Sequence, residues 1–281
     1  MSVVAILGAG TLGGALAHKL AERNKVGEVR LIDPTRNIAT AKALDIQQAT
    51  PLSRCATRIV TGGIDAVVGA TVIVVADPAN RPNNKWPKEA ALNLLAEVAQ
   101  LANFAPIVCA GTSDGPLIAS AVHQLGINRK RIFGTAPAAM VSGLRALVAL
   151  EADVSPRDVT IHIIGAPPLH TVVPWSSATI CGYQLEKSLS ANQLKKLRSC
   201  VDKLWPPGPY TLASATTLVV ETLTLGSLKR AFTCFIASES HAATHALAAY
   251  ATLGTTGISA VIEPRLTQIE RVQLETAVSK I

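Results

Sequence analysis

Hydrophobic and polar positions follow two different rhythms along the chain. In the first half, short continuous apolar runs such as Val3–Leu7 and Ala70–Ala76 are separated by longer stretches in which apolar residues recur every three or four positions. Continuous short runs are typical of strands buried on both faces of a parallel sheet, and the longer periodicity is typical of amphipathic helices. This alternation predicts an α/β fold with a parallel sheet.

Strands and helices alternate one by one up to about residue 136. This alternation predicts a doubly wound sheet in which helices cover both faces, and it assigns residues 1–136 to a first domain. The expected strands are Val3–Leu7, Glu28–Ile32, Thr57–Thr61, Ala70–Ala76, Pro106–Ala110 and Arg131–Gly134.

The rhythm changes in the remainder of the chain, where strands and helices no longer alternate singly. We expect a mixed α+β domain over residues 137–281 that completes a substrate site. Its predicted strands are Val159–Ile164, Ala231–Ile236 and a hairpin of Ala246–Ala251 with Ile258–Ile262, and its predicted helices are Ala191–Leu204, Thr211–Leu225 and Leu266–Ile281.

The turn between the first strand and the first helix carries three glycines at a characteristic spacing. Gly8 permits a tight turn, Gly10 lets the backbone approach a phosphate closely, and Gly13 lets the helix pack against the strand. Asp33 follows the second strand, where a carboxylate accepts hydrogen bonds from an adenosine ribose. Together they predict a Rossmann-type dinucleotide site. The residues assigned to it are Gly8, Gly10, Thr11, Leu12, Gly13 and Asp33.

The charge at the ribose position bears on which dinucleotide is bound. Asp33 repels a 2′-phosphate and therefore favours NAD over NADP, although Arg36 partly offsets that repulsion. The expected cofactor is NAD.

Composition excludes several classes of protein. Of the 281 residues 49% are hydrophobic, yet no run reaches the roughly 18 apolar residues of a membrane span. With no secretory signal pattern at the start, we expect a cytoplasmic protein with no membrane partner. The five cysteines are scattered without a CxxC pair, which argues against disulfides and zinc. The net charge of +7 is dispersed, so it predicts an anionic small-molecule substrate rather than nucleic acid.

Beyond these patterns, the chain resembles the NAD-dependent malate and lactate dehydrogenase family over essentially its whole length. The resemblance implies a nucleotide domain, a catalytic domain, NAD as cofactor, a small-molecule substrate and assembly into a homodimer or homotetramer. The segments that carry it are the glycine-rich turn through Asp33, Ala43-Leu44-Asp45-Ile46, Phe133-Gly134-Thr135, Val154-Ser155-Pro156-Arg157-Asp158-Val159, Ile164-Gly165 and Trp175-Ser176.

The resemblance also implies a reaction, hydride transfer between nicotinamide and the carbinol carbon of a 2-hydroxy acid. That chemistry needs an imidazole as proton acceptor, a carboxylate that orients it and arginines that hold the substrate carboxylate. Pro167 stands where the family has its acid–base histidine. Met140 and Gly143 stand where it has the orienting aspartate and an arginine, and Gly111 replaces its asparagine at the nicotinamide ribose. The usual proton relay is therefore missing.

Two functions remain open on this basis. The first is an oxidoreductase with a rebuilt site, in which His170, Arg81 or Lys85 serves a 2-oxo acid or another small carbonyl compound. His170 lies three residues beyond the expected histidine position, and Arg81 lies in a polar loop after a strand. The second is a non-catalytic nucleotide-binding protein used for sensing or assembly.

Two further motifs suggest other chemistry. Gly111-Thr112-Ser113-Asp114-Gly115 matches the GxSxG turn of serine hydrolases, with Ser113 as nucleophile, although no partner Asp–His pair is identifiable. His241 and His245 would share one face of a helix, but no third ligand is evident. We therefore predict no metal site and keep the hydrolase as a remote alternative.

Overall fold

A computed structural model describes residues 2–80, 85–102, 104–226, 229–239 and 245–279. The first six strands are parallel and lie in the order β3-β2-β1-β4-β5-β6, which confirms the predicted doubly wound sheet. They are β1 (Val3–Leu7), β2 (Glu28–Ile32), β3 (Arg58–Gly62), β4 (Val72–Val75), β5 (Ile107–Cys109) and β6 (Ile132–Gly134).

Helices alternate with these strands, and each has a buried apolar stripe. In the first helix Leu12, Leu16 and Leu20 are buried at a spacing of four residues, which places them on one face. The central strand β4 is Val-Ile-Val-Val and buried throughout, as expected of a strand covered on both faces. The helices of this half are α1 (Thr11–Arg23), α2 (Arg36–Ala49), α3 (Lys88–Leu101), α4 (Gly115–His123) and α5 (Ala136–Ala152).

The second half adds antiparallel strands to the same sheet. Its strands are β7 (Val159–Thr160), β8 (Ile164–Ala166), β9 (His170–Val172), β10 (Thr179–Ile180), β11 (Tyr183–Gln184), β12 (Arg230–Ala237), β13 (Ala246–Gly254) and β14 (Gly257–Ile262). Strand β12 pairs with β6, and the sheet continues through β13, β8 and β9. The antiparallel pairing of β13 with β14 confirms the predicted hairpin.

The predicted strand Val159–Ile164 is divided in the structure. Strand β7 pairs with β10 in a separate small sheet, whereas β8 pairs with β13 in the main sheet. Between them Ile161 and Ile163 are buried in a hydrophobic cluster, so the chain crosses from one sheet to the other there. The prediction of one continuous strand was wrong because the two ends have different partners.

Four more helices complete the second half: α6 (Leu185–Ser188), α7 (Ala191–Cys200), α8 (Pro209–Leu225) and α9 (Gln268–Ser279). The largest hydrophobic cluster joins β1–β6 to α8, β12 and β13. A second cluster is built from α5, α7 and the small sheet. The division at residues 136 and 137 remains a prediction. Among the described residues, no helix is both long and apolar enough to cross a membrane.

Candidate cofactor cleft

The glycine-rich turn packs tightly against the chain that leaves β4. Gly8 has a φ of +114°, and a side chain there would collide with the backbone carbonyls of Ala76 and Asp77. The Gly10 N–H donates to the Asp77 carbonyl at 2.8 Å. A side chain at Gly13 would collide with the Gly8 carbonyl. Gly8 and Gly13 are thus required by close approaches of backbone atoms, whereas a side chain at Gly10 would collide with the Asp77 carboxylate.

Asp33 lies beside this turn with its carboxylate already hydrogen-bonded. Its Oδ2 accepts from the backbone N–H groups of Ala9 and Ala79, both at 2.8 Å. Its Oδ1 accepts from the Thr35 N–H at 2.8 Å. The residue is only 4% exposed. The carboxylate predicted to bind a ribose therefore also ties the turn to the segment after β4.

The sequence patterns in this region do not point to Asp77, which the structure places against the turn. Its Oδ1 accepts a hydrogen bond from the Gly13 N–H at 2.8 Å, and the side chain is largely buried. The carboxylate lies over Gly10, where an added methyl group would collide with it. Its signal in the sequence is an acidic residue two positions after β4, but its contact with the turn depends on tertiary packing.

A cleft of about 570 Å³ opens beside the turn. This volume lies within the range of small-molecule sites, about 300–1,000 Å³. Thr11 and Leu12, the first residues of α1, line the cleft together with Asp77, so the helix N-terminus opens onto it. Lys85 and Lys88 add positive charge to the lining. No histidine lines this cleft in the part of the chain that the structure describes.

A smaller cavity of about 170 Å³ lies beside Asp33. Arg36 and Trp86 contribute to its lining, and Trp86 lines the larger cleft as well. The indole N–H of Trp86 donates to the Ala76 carbonyl at 2.7 Å, which anchors the ring at the end of β4. The cavity on the Asp33 side is smaller than a usual ligand pocket.

Asp114 is the cleft residue with a shifted pKa. Burial raises the pKa of this carboxyl to about 6, although the Gly111 N–H and the Lys85 ammonium both act against the rise. The Gly111 N–H donates to Asp114 Oδ2 at 2.7 Å. A side chain at Gly111 would collide with the same carboxylate. Glycine at position 111 therefore leaves free the space that the Asp114 carboxylate occupies.

Known proteins share both the sequence and the architecture. Residues 2–86 match the family model for the lactate/malate dehydrogenase NAD binding domain. A malate dehydrogenase of Thermomicrobium roseum is 27% identical over 296 residues, covering 99% of this chain and 95% of the relative. An L-lactate dehydrogenase of Chloroherpeton thalassium is 28% identical, and the match covers 68% of this chain and 65% of that protein. The malate dehydrogenase structure from Aeropyrum pernix superposes with a TM-score of 0.87 at 20% identity, covering 99% and 96% of the two chains.

The chain resembles malate and lactate dehydrogenases, in the sequence of its NAD-binding part and in the fold of its whole length. Its cofactor is NAD, in agreement with the expectation from the turn. The residues fit this dinucleotide in part. The close approach at Gly10 and the start of α1 suit a pyrophosphate, whereas the Asp77 carboxylate lies over the same glycine and carries the same sign of charge as a phosphate.

The positions of the family's proton relay hold no titratable group. Pro167 lies in the turn between β8 and β9. Met140 is 1% exposed and belongs to the second hydrophobic cluster. A Cβ at Gly143 on α5 would lie 3.2 Å from the Leu204 side chain.

Of the suggested replacement residues, Lys85 lines the cleft and His170 does not. His170 lies on β9 and lines a different cavity of about 790 Å³ beside α9, which shares no lining residue with the cleft. The structure therefore does not bring His170 to the glycine-rich turn. Arg81 and His241 lie outside the described residues. Ser113 lines the cleft, where the described lining offers no histidine to activate it.

Proposed function

We propose that this chain is a malate/lactate dehydrogenase-like oxidoreductase with an altered centre, in which turnover of malate or lactate is absent or very slow. The observation that carries the proposal is Pro167 at the acid–base position, with no histidine in the described lining of the cleft. Loss of general acid–base catalysis alone slows such reactions by about 10²- to 10⁴-fold. Loss of the arginine that holds the substrate carboxylate slows the reaction further.

A non-catalytic nucleotide-binding protein is the second candidate. It is favoured by the burial of Met140 in a hydrophobic cluster, because a methionine side chain cannot orient a base as a carboxylate does. The two candidates share the NAD-binding domain and differ only in turnover. Any substrate is expected to be small and anionic, since Lys85 and Lys88 line the cleft.

Two further expectations belong to this proposal. Assembly into a homodimer or homotetramer is supported by the resemblance to the dehydrogenase family. A cytoplasmic location is supported by the five free cysteines, because thiols stay reduced in that compartment.

The experiment combines binding with turnover. Purified protein is titrated with NADH by fluorescence, and NADH oxidation is then followed with oxaloacetate, pyruvate and a panel of other 2-oxo acids. With an ordinary kcat of about 10 s⁻¹ as reference, loss of the relay predicts rates of about 10⁻¹ to 10⁻³ s⁻¹ or less. The Thermomicrobium roseum relative serves as the positive control. A kcat near 10 s⁻¹ with oxaloacetate or pyruvate would contradict the proposal, whereas NADH binding without turnover of any acid in the panel would favour the non-catalytic candidate.

A further inference from the structure

The Asp77 carboxylate occupies the part of the turn that approaches a ligand most closely. Its Oδ1 accepts the Gly13 N–H at 2.8 Å, and its carboxyl group lies over Gly10. The backbone carbonyl of the same residue accepts the Gly10 N–H at 2.8 Å. Asp77 is therefore fastened to the turn by both its main chain and its side chain.

The chemistry of this position is that of an anion site. Glycines at a helix N-terminus let a phosphate approach the backbone, and the helix dipole favours negative charge there. A carboxylate satisfies the same preference from within the chain. None of the ion pairs among the described residues involves Asp77, and the nearby Lys42 ammonium donates instead to the Gly10 carbonyl at 2.6 Å. Among the described residues, the Asp77 carboxylate is thus held by the Gly13 N–H of the turn and by no ion pair.

We propose that Asp77 determines which ligands this turn accepts, because its carboxylate takes the place that a diphosphate would use. Ligands that carry a diphosphate, NAD among them, bind weakly and must displace or repel this carboxylate. A ligand of the same base and sugar without phosphate is not opposed by the charge. The inference rests on the assignment of this turn as the dinucleotide site.

The surrounding contacts allow Asp77 to be changed without releasing the segment. The Ala79 N–H remains bonded to Asp33, and the Trp86 indole remains bonded to the Ala76 carbonyl. In Asp77→Asn the amide oxygen can still accept the Gly13 N–H while the charge is lost. Asp77→Gly removes both the charge and the side chain. Asp158→Asn is the matched control, since it makes the same charge change at an exposed residue of the second half.

Titration with three ligands separates the effect of the Asp77 charge from the effect of the space that its side chain fills. NADH, ADP and adenosine are titrated into the wild type, Asp77→Asn, Asp77→Gly and Asp158→Asn by fluorescence or calorimetry. We expect both Asp77 variants to bind NADH and ADP at least about tenfold more tightly, a change of about 1.4 kcal/mol. Adenosine affinity should change less than twofold, and Asp158→Asn should behave as the wild type.

Unchanged or weaker ADP binding in folded Asp77→Asn would overturn the inference. An equal gain in affinity for adenosine and ADP would also overturn the inference, because the gain would then come from added space at position 77 and not from the removed charge. Thermal melts confirm that each variant is folded, and Asp77→Asn carries the test if Asp77→Gly does not fold. Rapid oxaloacetate turnover by the wild type would overturn the proposed function instead and would leave the comparison of Asp77 variants intact.

Discussion

At the scale of single residues, the candidate site is defined by three acidic side chains that bind backbone N–H groups. Asp33 accepts three such bonds, Asp77 accepts one from Gly13, and Asp114 accepts one from Gly111. A buried carboxylate is costly unless hydrogen bonds compensate for the lost water. These acids therefore stabilise the turns, and two of them, Asp77 and Asp114, also line the cleft.

Asp114 predicts a specific dependence of stability on pH. Burial raises its pKa from 3.8 to about 6, so between these values the folded chain binds more protons than the unfolded chain. The contribution of Asp114 to the free energy of unfolding should therefore fall as the pH rises from about 4 to 6. A shift of about two units corresponds to at most about 3 kcal/mol. Urea unfolding of the wild type and Asp114→Asn at pH 4, 5, 6 and 7 measures this fall as a difference between the two proteins.

Asp114→Asn removes the titrating group and leaves an oxygen for the Gly111 N–H. The variant should lose less stability than the wild type over the same pH range. Asp158→Asn, changed at an exposed position, should follow the wild type. Parallel profiles for the wild type and Asp114→Asn would show that Asp114 is not responsible for the fall.

At the scale of secondary-structure elements, local pattern predicted the long elements well and the short ones poorly. Strand β4 is a continuous run of β-branched residues, and its type follows from sequence alone. The two-residue strands β7 and β10 pair with each other across about twenty residues, and β10 also pairs with β11. Strands of two residues are too short to show a hydrophobic periodicity. The break between β7 and β8 likewise depends on partners that are distant in the sequence.

The C-terminal helix α9 is held by one buried carboxylate. Glu270 accepts hydrogen bonds from the backbone and hydroxyl groups of both Ser176 and Thr267. Burial alone would raise its pKa, but these hydrogen bonds outweigh burial and hold the pKa below 4.5. We expect Glu270→Gln to lower the free energy of unfolding by about 1–3 kcal/mol at pH 7.

The pH dependence identifies the cause of that loss. A carboxyl with a lowered pKa stabilises the fold above about pH 4.5, and its contribution disappears as the pH falls below this value. The difference between the wild type and Glu270→Gln should therefore shrink in acid. Glu275→Gln, at an exposed position of the same helix, is the control and should change little. A difference that stays constant down to pH 3 would exclude the charge of Glu270 as its origin.

At the scale of the whole molecule, the sequence predicted the fold more completely than the site. The doubly wound parallel sheet follows from local signals and is found as expected, and the glycine-rich turn lies between β1 and α1. The contact of Asp77 with Gly13 requires the end of β4 to meet the turn after β1, which no local pattern reports. The place of His170 likewise depends on the course of the β8–β9 hairpin. Residues of one site that come from separate elements are therefore the hardest to predict.

The two halves of the chain are also joined by an ion pair whose members are separated by 198 residues. Arg23 at the end of α1 donates through Nε and Nη2 to both carboxylate oxygens of Glu221 on α8. The Glu221 side chain is 3% exposed, whereas that of Arg23 is 34% exposed. Removal of the arginine leaves a buried carboxylate without its partner, and such a loss costs about 3–5 kcal/mol. Removal of the glutamate lets the arginine return to water and should cost less.

Arg23→Ala should therefore destabilise the protein more than Glu221→Ala, as measured by urea unfolding at pH 7. The double variant Arg23→Met, Glu221→Leu replaces the pair by apolar side chains and should recover most of the stability lost in Arg23→Ala, because no charge stays buried. Lys19→Ala, which breaks only an exposed pair with Glu22, is the control and should cost less than about 1 kcal/mol. Equal losses in the free energy of unfolding for the two single variants would contradict this prediction. They would mean that Glu221 reaches water once Arg23 is removed.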